Sequence, residues 1–129
     1  MKKNPFDTYR AQDLDALKPG EALIRVFDQC IQHLEEASVL MRAAPRDEAK
    51  LGEKLHLGHT ILFTLCDSLD SESYPDLTSN LEGLYLRLMQ SLTNAHLRND
   101  VDEVLGVVAI LIDLRDAWTD ASREVEGSP

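Results

Sequence analysis

Pro19-Gly20-Glu21-Ala22-Leu23-Ile24-Arg25-Val26-Phe27-Asp28-Gln29-Cys30-Ile31-Gln32-His33-Leu34-Glu35-Glu36-Ala37-Ser38-Val39-Leu40-Met41 is the stretch whose reading decides the fold. Leu23, Phe27, Cys30, Leu34, Ala37 and Met41 follow one another at steps of 4-3-4-3-4. That is a heptad-like stripe, the pattern of a helix packed along other helices. Ile24 and Ile31 widen it. Pro19 suits a first helical turn, where its missing N–H costs nothing, and Glu21 suits the positive helix start. Ala44-Pro45 ends the segment.

Working outward, the same rhythm returns. A second helix starts near Asp47 or Glu48 and carries Leu51, Leu55, Gly58, Leu62, Leu65 and Leu69. Gly58 inside a helix costs about 1 kcal/mol relative to Ala, so its presence predicts a close contact with another helix. Residues 70–75, Asp-Ser-Glu-Ser-Tyr-Pro, read as a turn. A third helix opens at Pro75 with Leu77, Leu81, Leu84, Leu88 and Ala95 on one row and Tyr85, Met89 and Leu92 on an adjoining one. Asp100 with Glu103 reads as a capping-box start. The fourth helix carries Val101, Val104, Leu105, Val108, Leu111, Ile112 and Trp118. Helices of about 23–27 residues, rising 1.5 Å per residue, make rods near 35–40 Å, and short connections make neighbours antiparallel. The expected fold class is all-α: an antiparallel four-helix up-and-down bundle with a short N-terminal appendage. The expected organisation is one domain over 1–129, with a tail or cap at 1–18, the bundle at 19–125 and a frayed terminus at 126–129.

Composition agrees with a Leu-rich helical core: 43% of residues are hydrophobic but only 5% aromatic. The formal charge of −10 repels phosphate backbones and anionic lipid surfaces, which argues against nucleic acid and membrane partners. No run approaches the ~20 apolar residues of a membrane span, and the basic start has no apolar stretch behind it. Cys30 and Cys66 stand alone, which fits small core side chains in a reducing cytosol.

Catalytic and metal chemistry find little support. A di-iron bundle needs two Glu-x-x-His motifs, and Glu53-Lys54-Leu55-His56 is matched by no second. His56 and His59 share a helix face, but two ligands alone make a weak site. Phosphate loops and nucleophile elbows are absent from the sequence. The chain is therefore expected to be no enzyme and to need no metal or cofactor.

A binding role remains. The third helix is apolar over more than one stripe, through Leu81, Leu84, Tyr85, Leu88, Met89 and Leu92. The first does likewise with Leu23, Ile24, Phe27 and Ile31. One bundle core uses one stripe per helix, so the surplus fits a thick core, a second subunit, a docked peptide or the chain's own tail. The tail carries Phe6 and Tyr9 in Asn4-Pro5-Phe6-Asp7-Thr8-Tyr9-Arg10, and aromatics there suggest that it docks. A permanent staple and a displaceable cap are both open.

These blocks together resemble the FliS family of flagellin export chaperones. Residues 4–10 resemble its Asn-Pro-Tyr-x-x-Tyr opening, and residues 19–31 resemble its Pro-Glu-Glu-Leu and Leu-Tyr-Asp-Gly-Ala-Ile stretch. Ser68-Leu69-Asp70 sits where the family closes its next helix. Residues 81–85 resemble Leu-x-x-Leu-Tyr, residues 92–100 resemble Leu-x-x-Ala-Asn-x-x-x-Asp, and residues 114–118 resemble Leu-Arg-x-x-Trp. Phe27, Gln29 and His96 depart from the family's usual Tyr, Gly and Asn.

The resemblance implies a cytosolic chaperone that binds the disordered C-terminal segment of flagellin, prevents premature polymerisation and aids delivery to the type III export apparatus. It implies a groove for that segment, with Leu23, Ile24, Phe27, Ile31, Leu81, Leu84, Tyr85, Leu88 and Leu92 as candidate lining. Roughly half of these are expected to be core instead, since each helix spends one stripe there. Pro5, Phe6 and Tyr9 are the candidate cap. Export-gate components and flagellar regulators are further partner classes. The alternative reading is a self-associating bundle, a homodimer, with a different flagellar or secretion client.

Overall fold

The computed structural model describes residues 19–127, and side-chain burial over 21–121. Pro5, Phe6, Tyr9 and the rest of the expected tail lie outside the described residues. The chain forms α1 (Pro19–Arg42), α2 (Glu48–Asp67), α3 (Pro75–Arg98) and α4 (Val101–Gly127). Each helix packs on the next, and α1 closes the ring against α4, so the four run up and down around one core. The helical backbone of α4 reaches Gly127, two residues past the sequence-based boundary, a normal margin for a helix end.

The heptad-like stripe of α1 is the centre of that core. Phe27, Cys30, Leu34 and Ala37 are fully buried, Met41 nearly so, while Leu23 near the helix start is half-buried. Leu51, Leu55, Leu62 and Leu65 of α2, Tyr85, Leu88, Leu92 and Ala95 of α3, and Val104, Val108 and Leu111 of α4 complete it. The helix starts read from the sequence have their caps. Asp47 Oδ1 accepts from the Lys50 N–H at 3.0 Å, and Asp100 Oδ1 from the Glu103 N–H at 3.1 Å. Each satisfies an amide that the first turn leaves free. Asn99 ends α3 in the left-handed conformation at φ 53°, where Asn is among the tolerated residues.

Gly58 marks the close helix contact that its position suggested. A Cβ placed there would lie 2.5 Å from Leu34 Cδ2 and 3.1 Å from Leu34 Cγ. The Cys30 thiol, on the same side of α1, donates to the Gly58 carbonyl at 3.6 Å. Gly58→Ala gains about 1 kcal/mol of helix propensity but must push Leu34 out of a filled site, an overpacking cost of about 1–3 kcal/mol. A net loss of up to about 2 kcal/mol is expected in urea melts, set by these two opposing effects. Leu34→Val beside it should recover part of the loss, because the clashing methyl group is removed.

One helix differs from its expected length in a way that matters. α2 has 20 residues, against 24, 24 and 27 for α1, α3 and α4. Its stripe was expected to run through Leu69, but the helix stops at Asp67. There the Ser68 N–H and hydroxyl both donate to the Thr64 carbonyl, at 3.1 and 2.6 Å. Asp70 then shapes the connection: its carboxylate accepts from the Glu72 and Ser73 N–H groups, and its carbonyl accepts from the Thr78 hydroxyl at 2.9 Å. Side-chain bonds of this kind offer the backbone an alternative to continuing the helix.

Candidate functional site

The short α2 leaves the first turn of α3 without an α2 neighbour, and an apolar groove opens at that end of the bundle. It encloses about 220 Å³. Leu23 lines it from α1, Leu65 and Leu69 from the end of α2 and just beyond, and Trp118 from α4. Tyr74, Leu77, Leu81 and Tyr85 line it from the start of α3. The floor is fixed, since Leu65 and Tyr85 are buried in the core. The walls, Leu23, Leu81 and Trp118, are half-buried. At the mouth, Tyr74 is 66% exposed and Leu77 53%. Polar groups are few: Ser68, Asp70 and the buried Thr78, whose hydroxyl is already bonded to the Asp70 carbonyl. Burial, and secondarily Cys66, pushes the Tyr85 phenol up to about 12, so it stays a neutral hydroxyl. Such a lining can take up large apolar side chains.

Leu77 is therefore not where its row placed it. The heptad-like spacing set it with Leu81, Leu84 and Leu88 facing the core, yet it faces solvent, because the element it would have packed against has ended. The nine groove candidates divide three ways. Leu23, Leu81 and Tyr85 lie in this groove. Phe27, Ile31 and Leu88 are buried in the core, Leu84 is half-buried against it, and Ile24 is half-buried. Leu92 forms part of the floor of a second groove. Sequence reading missed Leu65, Leu69, Tyr74, Leu77 and Trp118 as groove residues. The sequence carried no signal for them as a group, because Leu65, Leu69 and Leu77 continue core rows and Tyr74 lies in a turn.

The second groove runs between α2 and α3 near the other end and encloses about 350 Å³. Gly52, Leu55, His56 and His59 line it from α2, and Leu92, Thr93, His96 and Leu97 from α3. Three of the four histidines meet here, His96 among them. Among the described residues no three His, Cys, Asp or Glu side chains are close enough to share a metal ion. No helix of the described residues is long and apolar enough to cross a membrane.

Several ion pairs tie the helices without marking a site. Arg115 of α4 meets Asp28 of α1 at 3.0 Å, and Lys54 of α2 meets Glu36 of α1 at 2.7 Å. Arg46 donates to Glu48 and to the Asn99 side-chain oxygen, joining the two connections at one end. At such exposure each pair contributes about 0–1 kcal/mol.

Comparison with known proteins extends the likeness over the whole bundle. Residues 2–125 match the family model described as flagellar protein FliS. The flagellar secretion chaperone FliS of Escherichia coli (strain K12) is 35% identical over 99 residues, covering 74% of this chain and 70% of that protein. The flagellar secretion chaperone FliS of Bacillus subtilis (strain 168) is 23% identical over 120 residues, covering 92% and 86%. A crystal structure of a bacterial flagellar chaperone superposes with a TM-score of 0.75 over 92% of this chain and 95% of that one. At 21% identity that superposition speaks for the fold alone.

Proposed function

This chain belongs to the FliS family of flagellar secretion chaperones, and from that premise we propose that it holds the C-terminal segment of flagellin through the apolar groove at the α2–α3 end of the bundle. Its work is that of a non-enzymatic chaperone. The observation that carries the reading is the groove itself: an open apolar cleft with a rigid floor and exposed Tyr74 and Leu77 at its mouth. A cleft of this kind is costly to leave bare to water and is well matched to a client segment rich in apolar side chains. Each large apolar side chain it buries contributes roughly 1.5–3 kcal/mol. Ordering a disordered segment costs about 2–5 kcal/mol or more, which keeps the complex releasable. Leu23, Leu81, Tyr85, Leu77 and Trp118 are the contacts proposed, and the cytosol, where flagellin waits before export, is the compartment.

Calorimetric titration of the full chain with a peptide of the last ~40 residues of the cognate flagellin tests the reading, since coupled folding and binding gives a large heat and a negative heat-capacity change. One-to-one saturation is expected. An absence of heat at several temperatures would remove flagellin's C-terminal segment as the client.

The N-terminal tail belongs to the same proposal. The described chain begins at Pro19, four residues before Leu23 on the groove wall. Residues 1–18 are long enough to reach the groove, and Phe6 and Tyr9 are suited to an apolar cleft. Their role as a displaceable cap gives a clear expectation. Deleting residues 1–10 should tighten or speed client binding and leave far-ultraviolet dichroism unchanged. Loss of helical signal on deletion would make the tail a fixed part of the fold.

A further inference from the structure

Thr78, Leu81 and Tyr85 line the end groove from α3 at steps of three and four, so they share one face of that helix. A long helical side chain leans toward the N-terminus of its own helix, and for Tyr85 that is the groove end of α3. The ring is packed into the core, and the residue is only 2% exposed.

The other polar groups of the groove are already engaged. The Ser68 hydroxyl donates to the Thr64 carbonyl at 2.6 Å. The Asp70 carboxylate accepts from the Glu72 and Ser73 N–H groups, at 3.2 and 3.1 Å. The Thr78 hydroxyl donates to the Asp70 carbonyl at 2.9 Å. The Tyr85 hydroxyl is left over. Among the described residues none bonds it, although it is not sealed off from the groove. A polar group on so buried a side chain ordinarily has a partner, because burial strips its water and something must replace it. At the floor of a binding groove, a hydroxyl without one favours the ligand that supplies the missing bond.

We infer that the Tyr85 hydroxyl is a specificity-determining contact of the chaperone, donating a hydrogen bond to a neutral carbonyl oxygen of the bound client. The inference rests on the end groove being the client site, as proposed above. A phenol is a better donor than acceptor, and burial pushes this one up to about 12, so its proton is in place at any physiological pH. A carboxylate is poorly suited to accept from it. It would lose its hydration at the floor and meet the Asp70 carboxylate on the groove wall. A carbonyl oxygen carries no such penalty. Main chain that is not helical offers one that no helix bond has used, and an Asn or Gln side chain offers another. The apolar walls hold any apolar segment alike. The Tyr85 bond separates segments that set a carbonyl over the floor from those that do not.

Calorimetric titration of the unaltered full chain and of Tyr85→Phe with the flagellin peptide tests this, with Trp118 emission and urea melts on the same proteins. Tyr85→Phe should weaken binding about three- to tenfold, the range of one net hydrogen bond, and keep the change in Trp118 emission. Its urea midpoint should equal or exceed that of the unaltered chain, because the lost hydroxyl had no partner in the fold. Thr78→Val, which removes a hydroxyl that is bonded, should lower the midpoint and sets the scale. Replacing each Asn and Gln of the peptide with Ala identifies the carbonyl. A loss that is not additive with Tyr85→Phe assigns it to that side chain, and additivity throughout assigns it to the main chain. Equal affinity of Tyr85→Phe and the unaltered chain, with the Trp118 change intact, overturns this inference and leaves the groove as the client site. A Tyr85→Phe midpoint lowered as far as that of Thr78→Val also overturns it, since the hydroxyl would then be bonded within the fold. No binding by the unaltered chain overturns the groove reading and this inference together.

Discussion

Phe27→Ala should lower the unfolding free energy by about 3–5 kcal/mol, the usual cost of emptying a buried aromatic site. Phe27 is fully buried at the centre of the α1 stripe, among the largest such side chains of the bundle. A single domain has about 5–15 kcal/mol of stability in all, so the variant should lose a large share of it. Phe27→Leu keeps most of the volume and should cost much less. Equilibrium urea melts followed by far-ultraviolet dichroism give both numbers. The pair bears on function as well. Phe27 was a groove candidate by sequence, but in the structure it supports the bundle from within. Phe27→Leu should therefore leave client affinity nearly unchanged. A large affinity loss with an intact fold would return Phe27 to the binding surface.

Leu77→Asp should do the opposite, weakening flagellin binding by 100-fold or more with little effect on stability. Leu77 is 53% exposed at the mouth of the end groove, so a carboxylate there is hydrated in the free chain. In the complex the variant forfeits the roughly 1.5–3 kcal/mol of a buried Leu and must also desolvate a charge. Together these exceed about 2.7 kcal/mol, the equivalent of 100-fold in affinity. Leu77→Ala should give a smaller loss, near tenfold. Calorimetric affinities beside urea midpoints separate the two effects. Normal affinity for Leu77→Asp would move the client elsewhere on the bundle.

Much of this architecture was legible in the residues themselves. The 4-3-4-3-4 stripe of α1 marked its buried face, Asp47 and Asp100 marked the next helix starts, and Gly58 marked a close approach. Each of these is a local property, fixed by helix periodicity or by the unsatisfied amides of a first turn. The end groove was not legible, because it depends on where one helix stops relative to its neighbours. Periodicity says which side of a helix is apolar and nothing about axial overhang. Leu69 continues the α2 stripe in sequence, yet the helix ends at Asp67 and the Asp70 carboxylate shapes the turn that follows. Leu77 continues the α3 row, yet it has no α2 residue to meet. Val26, Ile61 and Val107 are buried although they lie off the rows read from the sequence, because a helix flanked by two neighbours buries a face wider than one stripe.

The chain's one tryptophan offers the most direct test of the central claim, that flagellin's C-terminal segment occupies the end groove. Trp118 lines that groove and is half-buried in the free chain. Titrating the full chain with the flagellin peptide, made without tryptophan, while exciting Trp118 should give a saturable blue shift with a one-to-one endpoint. The endpoint should match the calorimetric one. Calorimetric binding with no change in Trp118 emission would contradict the account, because the client would then be held away from the groove.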